Sequence, residues 1–134
     1  MKAQAAFEYM VIAIFILGFL TPIWIYASQV KTQTNDDFIL SYAKNAVSQI
    51  AKYADMVYSQ RSSAKVKIGV YIPSNVQYTN ITDHLINIRV LSSSGPVDIF
   101  ENSIAKLNGT LPSDEGFYWV LIKAEGDYVN ITLA

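Results

Sequence analysis

The chain has 134 residues, 51% of them hydrophobic, with ten basic groups, eleven acidic groups and no cysteine. That length holds one domain of ordinary size, and the missing cysteines exclude a disulfide scaffold and thiolate metal sites. Charge is balanced by region as well as overall, so no basic stripe runs along the sequence to neutralise phosphates, and nucleic acid is not an expected partner.

The first segment is the most distinctive. Twenty-two consecutive residues, Tyr9 to Val30, carry no charge, and Met10 to Leu20 is apolar apart from Gly18. As a helix this stretch covers about 33 Å, enough to cross the hydrocarbon of a bilayer. Its apolar residues surround the whole helix, so every face requires lipid or protein against it. Lys2 and the apolar run fit the start of a secretory signal, but an acid at Glu8 ahead of the run is unusual there and no A-x-A cleavage signal follows. A signal anchor with Lys2 on the cytoplasmic side is a stronger alternative. A carboxylate at the edge of a buried helix costs energy, up to about 2.5–3.5 kcal/mol at a bilayer centre and less near the interface. In isolation Glu8 is equally well a first-turn acid favoured by the helix dipole.

Gly18 and Pro22 form a second constellation. Proline removes the amide that would reach the Gly18 carbonyl, and its ring crowds that carbonyl. A local bend is expected at residues 18–22, with the Thr21 hydroxyl able to satisfy a freed carbonyl. Membrane helices also tolerate proline with no further purpose. Six aromatics (Phe7, Tyr9, Phe15, Phe19, Trp24 and Tyr26) lie in this stem. Packing accounts for them, and Trp24 and Tyr26 suit a membrane interface.

From residue 28 to 61 the pattern becomes amphipathic. Ile39, Ala43, Ala46, Ile50, Ala54 and Val57 recur at a spacing of three or four, which places them on one helix face. Ser28–Asp37 is polar, and Thr34 with Asp37 resembles a capping pair for a new helix. No glycine or proline interrupts residues 23–61, which favours one continuous helix of roughly 80 Å.

Residues 62–134 change period. Val66–Ile72 alternates as a half-buried strand does, and further strands are expected at Val76–Ile81, Leu85–Leu91, Val97–Phe100, Phe117–Ala124 and Tyr128–Leu133. Turn signals separate them at Pro73–Asn75, Ser92–Pro96, Asn108-Gly109, Pro112–Gly116 and Glu125-Gly126-Asp127, the last a tight hairpin. The expected fold is α+β: a long N-terminal helix, apolar then amphipathic, with one small antiparallel sheet packed on the 39–57 stripe. Three Asn-x-Thr sequons, at Asn80, Asn108 and Asn130, are candidate glycosylation sites, Asn108 being the most accessible by its turn signal. His84 sits beside Asp83 at a turn. No nucleophile elbow, phosphate loop or paired-His motif occurs, so no catalytic residue, metal or cofactor is expected. The acidic pairs Asp36-Asp37 and Asp114-Glu115 lack calcium-loop spacing and read as solvated.

Met1-Lys2-Ala3, then Gln4, Glu8 and Tyr9 ahead of the apolar run, resembles the start of archaeal type IV pilins with a class III signal peptide. In that family a short basic leader is removed after a small residue. The mature chain begins with Gln, carries Glu at its fifth position, often followed by Tyr, and enters the apolar helix. The resemblance implies a leader at residues 1–3 cut between Ala3 and Gln4, a stem at 4–27, an amphipathic helix at 28–61 and a β-rich head at 62–134. Departures are Ala6, where the family often has Ser, Ala3 for the commoner Gly, and a very short leader. The motif covers about ten residues, and the helix-plus-sheet layout extends the likeness over the chain.

The implied protein is a filament subunit at the cell surface, held in the cytoplasmic membrane before assembly. Its implied partners are copies of itself, a prepilin peptidase and pilus assembly machinery, and its implied role is adhesion or surface attachment. Cleavage would create an amine on Gln4 that compensates Glu8 of its own or a neighbouring chain. A buried acid is tolerable only when paired, so the pair would set the axial register between subunits. The alternative is a non-polymerising, membrane-anchored binding module.

Overall fold

The computed structural model describes residues 1–61 and 63–134. Ser62, the expected start of the strand-rich segment, lies outside the described residues. The described residues form one helix, α1 (Lys2–Gln60), and seven strands: β1 (Lys65–Ile72), β2 (Val76–Thr82), β3 (Leu85–Ser92), β4 (Gly95–Asn102), β5 (Lys106–Gly109), β6 (Gly116–Ala124) and β7 (Tyr128–Leu133). This is the expected α+β fold. It divides into two compact units, Met1–Asn35 and Asp36–Ala134.

The first unit is helix alone. Helix persists through Ser28–Asp37, so Thr34 and Asp37 do not cap a new start. Asp36, the first residue of the second unit, accepts hydrogen bonds from the Ser93 amide and hydroxyl of that same unit, which corrects its reading as a solvated helix start.

In the second unit, α1 buries Ile39, Ala43, Ala46, Val47, Ile50, Ala51, Ala54 and Val57. Four of these eight are alanine, and with no side chain beyond Cβ they leave room for the large inward side chains of the strands. Val47 and Ala51 widen the expected stripe, because 43, 47 and 51 form a second i, i+4 row beside 46, 50, 54 and 57. Against this face lie Ile68, Val70, Ile72, Val120, Ile122, Ala124, Val129, Ile131 and Leu107 from one sheet, and Ile86, Ile88 and Val90 from another. Alternate residues of each strand supply them, as the pleat requires.

Two sheets stand where one was expected. The first has order β1-β6-β7-β5, the second β2-β3-β4. Their edges meet at β2 and β5, where the Thr79 hydroxyl donates to the Leu111 carbonyl at 2.7 Å. Strand β5 was not expected, and it runs parallel to β7 with Asn108 beside Asn130. The Asn108-Gly109 turn reading is therefore corrected: both residues are strand. Gly109 is needed for close approach rather than for a turn. Its φ is +135°, and an added Cβ would lie 1.9 Å from the Ile131 carbonyl oxygen. The expected hairpin at Glu125–Asp127 forms, with the Glu125 amide donating to the Tyr128 carbonyl at 2.8 Å.

The helix is tied to the sheets by polar contacts as well. Asp55 accepts from the Ser103 hydroxyl and, at 3.0 Å, from the Ile104 amide. Ser103 Oγ in turn accepts from the Ala105 amide at 3.1 Å. The segment between β4 and β5 is thereby fixed to α1.

The complete burial of the alanines generates a prediction. Ala54→Leu forces extra volume under the sheets and should destabilise the second unit by about 1–3 kcal/mol. Asn45→Leu, on the exposed side, should stay within about 0.5 kcal/mol of the parent. Denaturant unfolding of the full chain in detergent, followed by circular dichroism, distinguishes these outcomes.

Candidate functional site

The stem residues singled out by sequence all lie on α1. Ala3, Gln4 and Glu8 are in its first turns, with Gln4 and Glu8 four residues apart and both exposed. That spacing puts them on the same side of the helix. Beyond them the large side chains have no cover within the chain. Phe7, Tyr9, Phe15, Phe19, Trp24 and Tyr26 are between 64% and 78% exposed, and Ile12, Ile14, Ile16, Leu17, Leu20, Ile23 and Ile25 exceed half exposure. Fully covering one such side chain is worth about 1.5–3 kcal/mol. A contiguous apolar surface of this size marks a membrane or protein contact. The helix is long and apolar enough to cross a membrane by length and composition.

Residues 18–22 remain helical despite Pro22. The Thr21 hydroxyl donates to the Leu17 carbonyl at 2.8 Å, so it serves the residue adjacent to Gly18 rather than the Gly18 carbonyl that proline frees. Nothing lies within 4 Å of the position a Gly18 Cβ would take.

In the second unit, Asn80 and Asn108 are exposed and Asn130 is half-buried. Asn108 and Asn130 are direct neighbours on β5 and β7, whereas Asn80 opposes Asn87 on the other sheet. His84 serves structure: its Nδ1 donates to the Ala105 carbonyl at 2.9 Å.

Two exposed clusters were missed by sequence reasoning. On the outer face of the three-stranded sheet, Arg89 forms a two-pronged contact with its cross-strand partner Asp98, both hydrogen bonds 2.8 Å long. The Arg89 guanidinium also lies 5.1 Å from the Tyr78 ring centre. The hydrogen bond from Arg89 holds the Asp98 carboxyl below its ordinary value of 3.8, against a smaller opposing effect of desolvation, and Asp98 in turn raises Arg89. On the four-stranded sheet, Tyr71, Phe117 and Trp119 are exposed. The Tyr71 hydroxyl donates to Glu115 at 3.0 Å, and this bond foremost raises the Tyr71 phenol. The period-two alternation of β1 and β6 carries the signal for this cluster, since Tyr71, Phe117 and Trp119 all occupy the outward phase.

The chain matches no protein-family model, no curated protein and no solved structure.

The Arg89–Asp98 pair sets a pH expectation. Because the folded carboxyl is held low, its stabilisation is complete above the ordinary value of 3.8 and fades as pH falls through the lower folded value. Both groups are solvent-exposed, so the effect is small and screened by salt. Comparing acid unfolding of the parent with Asp98→Asn should show the parent's advantage at pH 6 disappearing below that window. An advantage that persists at the lowest pH contradicts the pairing.

Proposed function

We propose that this protein is a structural subunit of an extracellular type IV pilus-like filament that polymerises through its N-terminal helix and serves adhesion or surface attachment. The observation that carries the reading is an apolar helix surface without cover on any side, preceded by a single acid at Glu8 and continuous in sequence with a β-rich head. A filament supplies both things the helix needs. Neighbouring helices cover the apolar side chains, and a nearby amine compensates the acid.

In this reading residues 1–3 are a leader removed by a prepilin peptidase, and the stem rests in the cytoplasmic membrane until assembly machinery draws it out. The freed amine of Gln4 then meets Glu8 in a bundle that excludes water. One axial stagger satisfies the pair and others leave a charge buried and alone, which is strongly unfavourable. Gly18 and Pro22 give the stem a locally adaptable turn for packing in a curved bundle. The second reading, a non-polymerising surface module with a simple signal anchor, accounts for the apolar helix equally well. It gives Glu8 no task.

Asn80, Asn108 and Asn130 are the proposed glycan acceptors. Asn108 and Asn130 stand side by side, so a sugar on one crowds the other. Material from the native source should carry a glycan on at least one of the three, and peptides covering all three unmodified would remove this part of the proposal.

Glu8→Gln separates the two readings. The substitution keeps size and most hydrogen bonding but deletes the charge. Membrane insertion should persist or improve, because an amide costs less to bury than a carboxylate. Incorporation into filaments should fall sharply, measured as the ratio of filament to membrane-retained subunit in cells with intact leader processing. An unchanged ratio with filaments of normal length would leave Glu8 without a role in register.

A further inference from the structure

The two sheets meet at β2 and β5 without a shared hydrogen-bond ladder. Single bonds close this seam instead. The Leu107 amide donates to the Asp83 carbonyl, the Ser103 amide to the His84 carbonyl at 2.8 Å, and the Thr79 hydroxyl to the Leu111 carbonyl at 2.7 Å. Isolated bonds open more readily than a paired ladder, so the seam is a weak line in the head.

Beside the seam is a cleft of about 500 Å³, with Thr82, Asp83, Lys106, Asn108, Asp127 and Tyr128 in its walls. That volume is in the range of sites for small organic groups. Its charges are of mixed sign and unpaired. Among the described residues no carboxylate lies within 4.0 Å of the Lys106 ammonium, and no cationic side chain lies that near Asp83 or Asp127. Two carboxylates, one ammonium, an amide and a hydroxyl offer both acceptors and donors. Such a lining suits a neutral, polyhydroxylated ligand better than an ion of either sign. The exposed Tyr128 ring adds a flat apolar surface against which the C–H face of a sugar ring fits.

One residue of the cleft is itself a sugar acceptor. Asn108-Gly109-Thr110 is a sequon, and Asn108 stands in the cleft wall, so a sugar on its Nδ2 begins there. Gly109 fixes that starting point. Its φ of +135° and the 1.9 Å separation between an added Cβ and the Ile131 carbonyl oxygen hold β5 tight against β7. The other acceptors are placed differently: Asn80 opposes Asn87 on the three-stranded sheet, and Asn130 lies on the interior strand β7. A group tethered next to its site is held there at high effective concentration, so individually weak contacts suffice.

We propose that the cleft seats the first sugars of a glycan carried by Asn108, and that this glycan braces the seam between the two sheets. The inference rests on the head standing outside the membrane, which the filament and signal-anchor readings share. The donor is a glycosyl phosphate, acted on by a separate transferase. The Asn108 Nδ2 bonds to the anomeric carbon, the bond from that carbon to the phosphate oxygen breaks, the phosphate leaves with the electron pair, and the amide gives up one proton.

Peptide mapping of the chain from the native source, whether from filaments or from membranes, should find a glycan on Asn108. Hydrogen exchange at the Leu107 amide then reports the seam. A few added contacts should slow it by about 5- to 30-fold relative to the same chain made in a host without N-glycosylation. Thr110→Ala, made in the native source, removes this sequon alone and should restore the fast exchange, whereas Thr110→Ser keeps the sequon and should match the parent. Amides of β3 that pair with β4 should not change. A glycan on Asn108 that leaves the Leu107 amide unaltered overturns the seat, as does uniform slowing of every strand or an unmodified Asn108. None of those results bears on the filament reading. A slowly exchanging, glycosylated head recovered only from membranes keeps the seat and defeats the filament.

Discussion

The head depends on the packing of its inward strand side chains against the face of α1 between residues 39 and 57. Ala43, Ala46, Ala51 and Ala54 leave room for the inward side chains of the strands, while Ile39, Val47, Ile50 and Val57 fill the spaces between. Interiors are packed as densely as organic crystals, so neither set can change volume freely. The two sheets take their inward residues from this demand. The Asp36 and Asp55 contacts then anchor the β3–β4 turn and the segment after β4 at opposite ends of the buried stretch. Only with both sheets seated on one helix face do their outward faces become defined surfaces.

The N-terminal half of α1 poses the opposite problem. Its apolar residues surround the helix and nothing in the chain covers them. A bilayer would meet that need, and in the proposed filament copies of the same helix would meet it in a bundle. A carboxylate at Glu8 is costly in a solely lipid setting, whereas in the proposed bundle it would discriminate between staggers.

Much of the fold was legible in the sequence because its signals are local. The 3–4 spacing at residues 39–57 and the period-two alternation of Val66–Ile72 each report a buried face directly. Strand β5 was not legible. It is four residues long, contains an Asn-Gly pair that ordinarily signals a turn, and owes its conformation to parallel pairing with a strand more than twenty residues away. The division into two sheets was hidden for the same reason. Asp36 read as solvated because its partner, Ser93, lies 57 residues on. The cross-strand placement of Lys65 beside Lys123 was invisible along the chain, and it emerges only when strand pairing sorts residues by face. For the N-terminal site the sequence was more informative than the fold, because its chemistry concerns neighbours that one chain does not contain.

The central claim is that this chain polymerises through residues beginning at Gln4. Its most direct test is to shear cells of the native source, view the released material by electron microscopy and sequence its N-terminal peptide. The account predicts thin filaments built from this chain with Gln4 as the first residue. Recovery of the chain in the membrane fraction alone, with Lys2 intact and no filaments released, would contradict it.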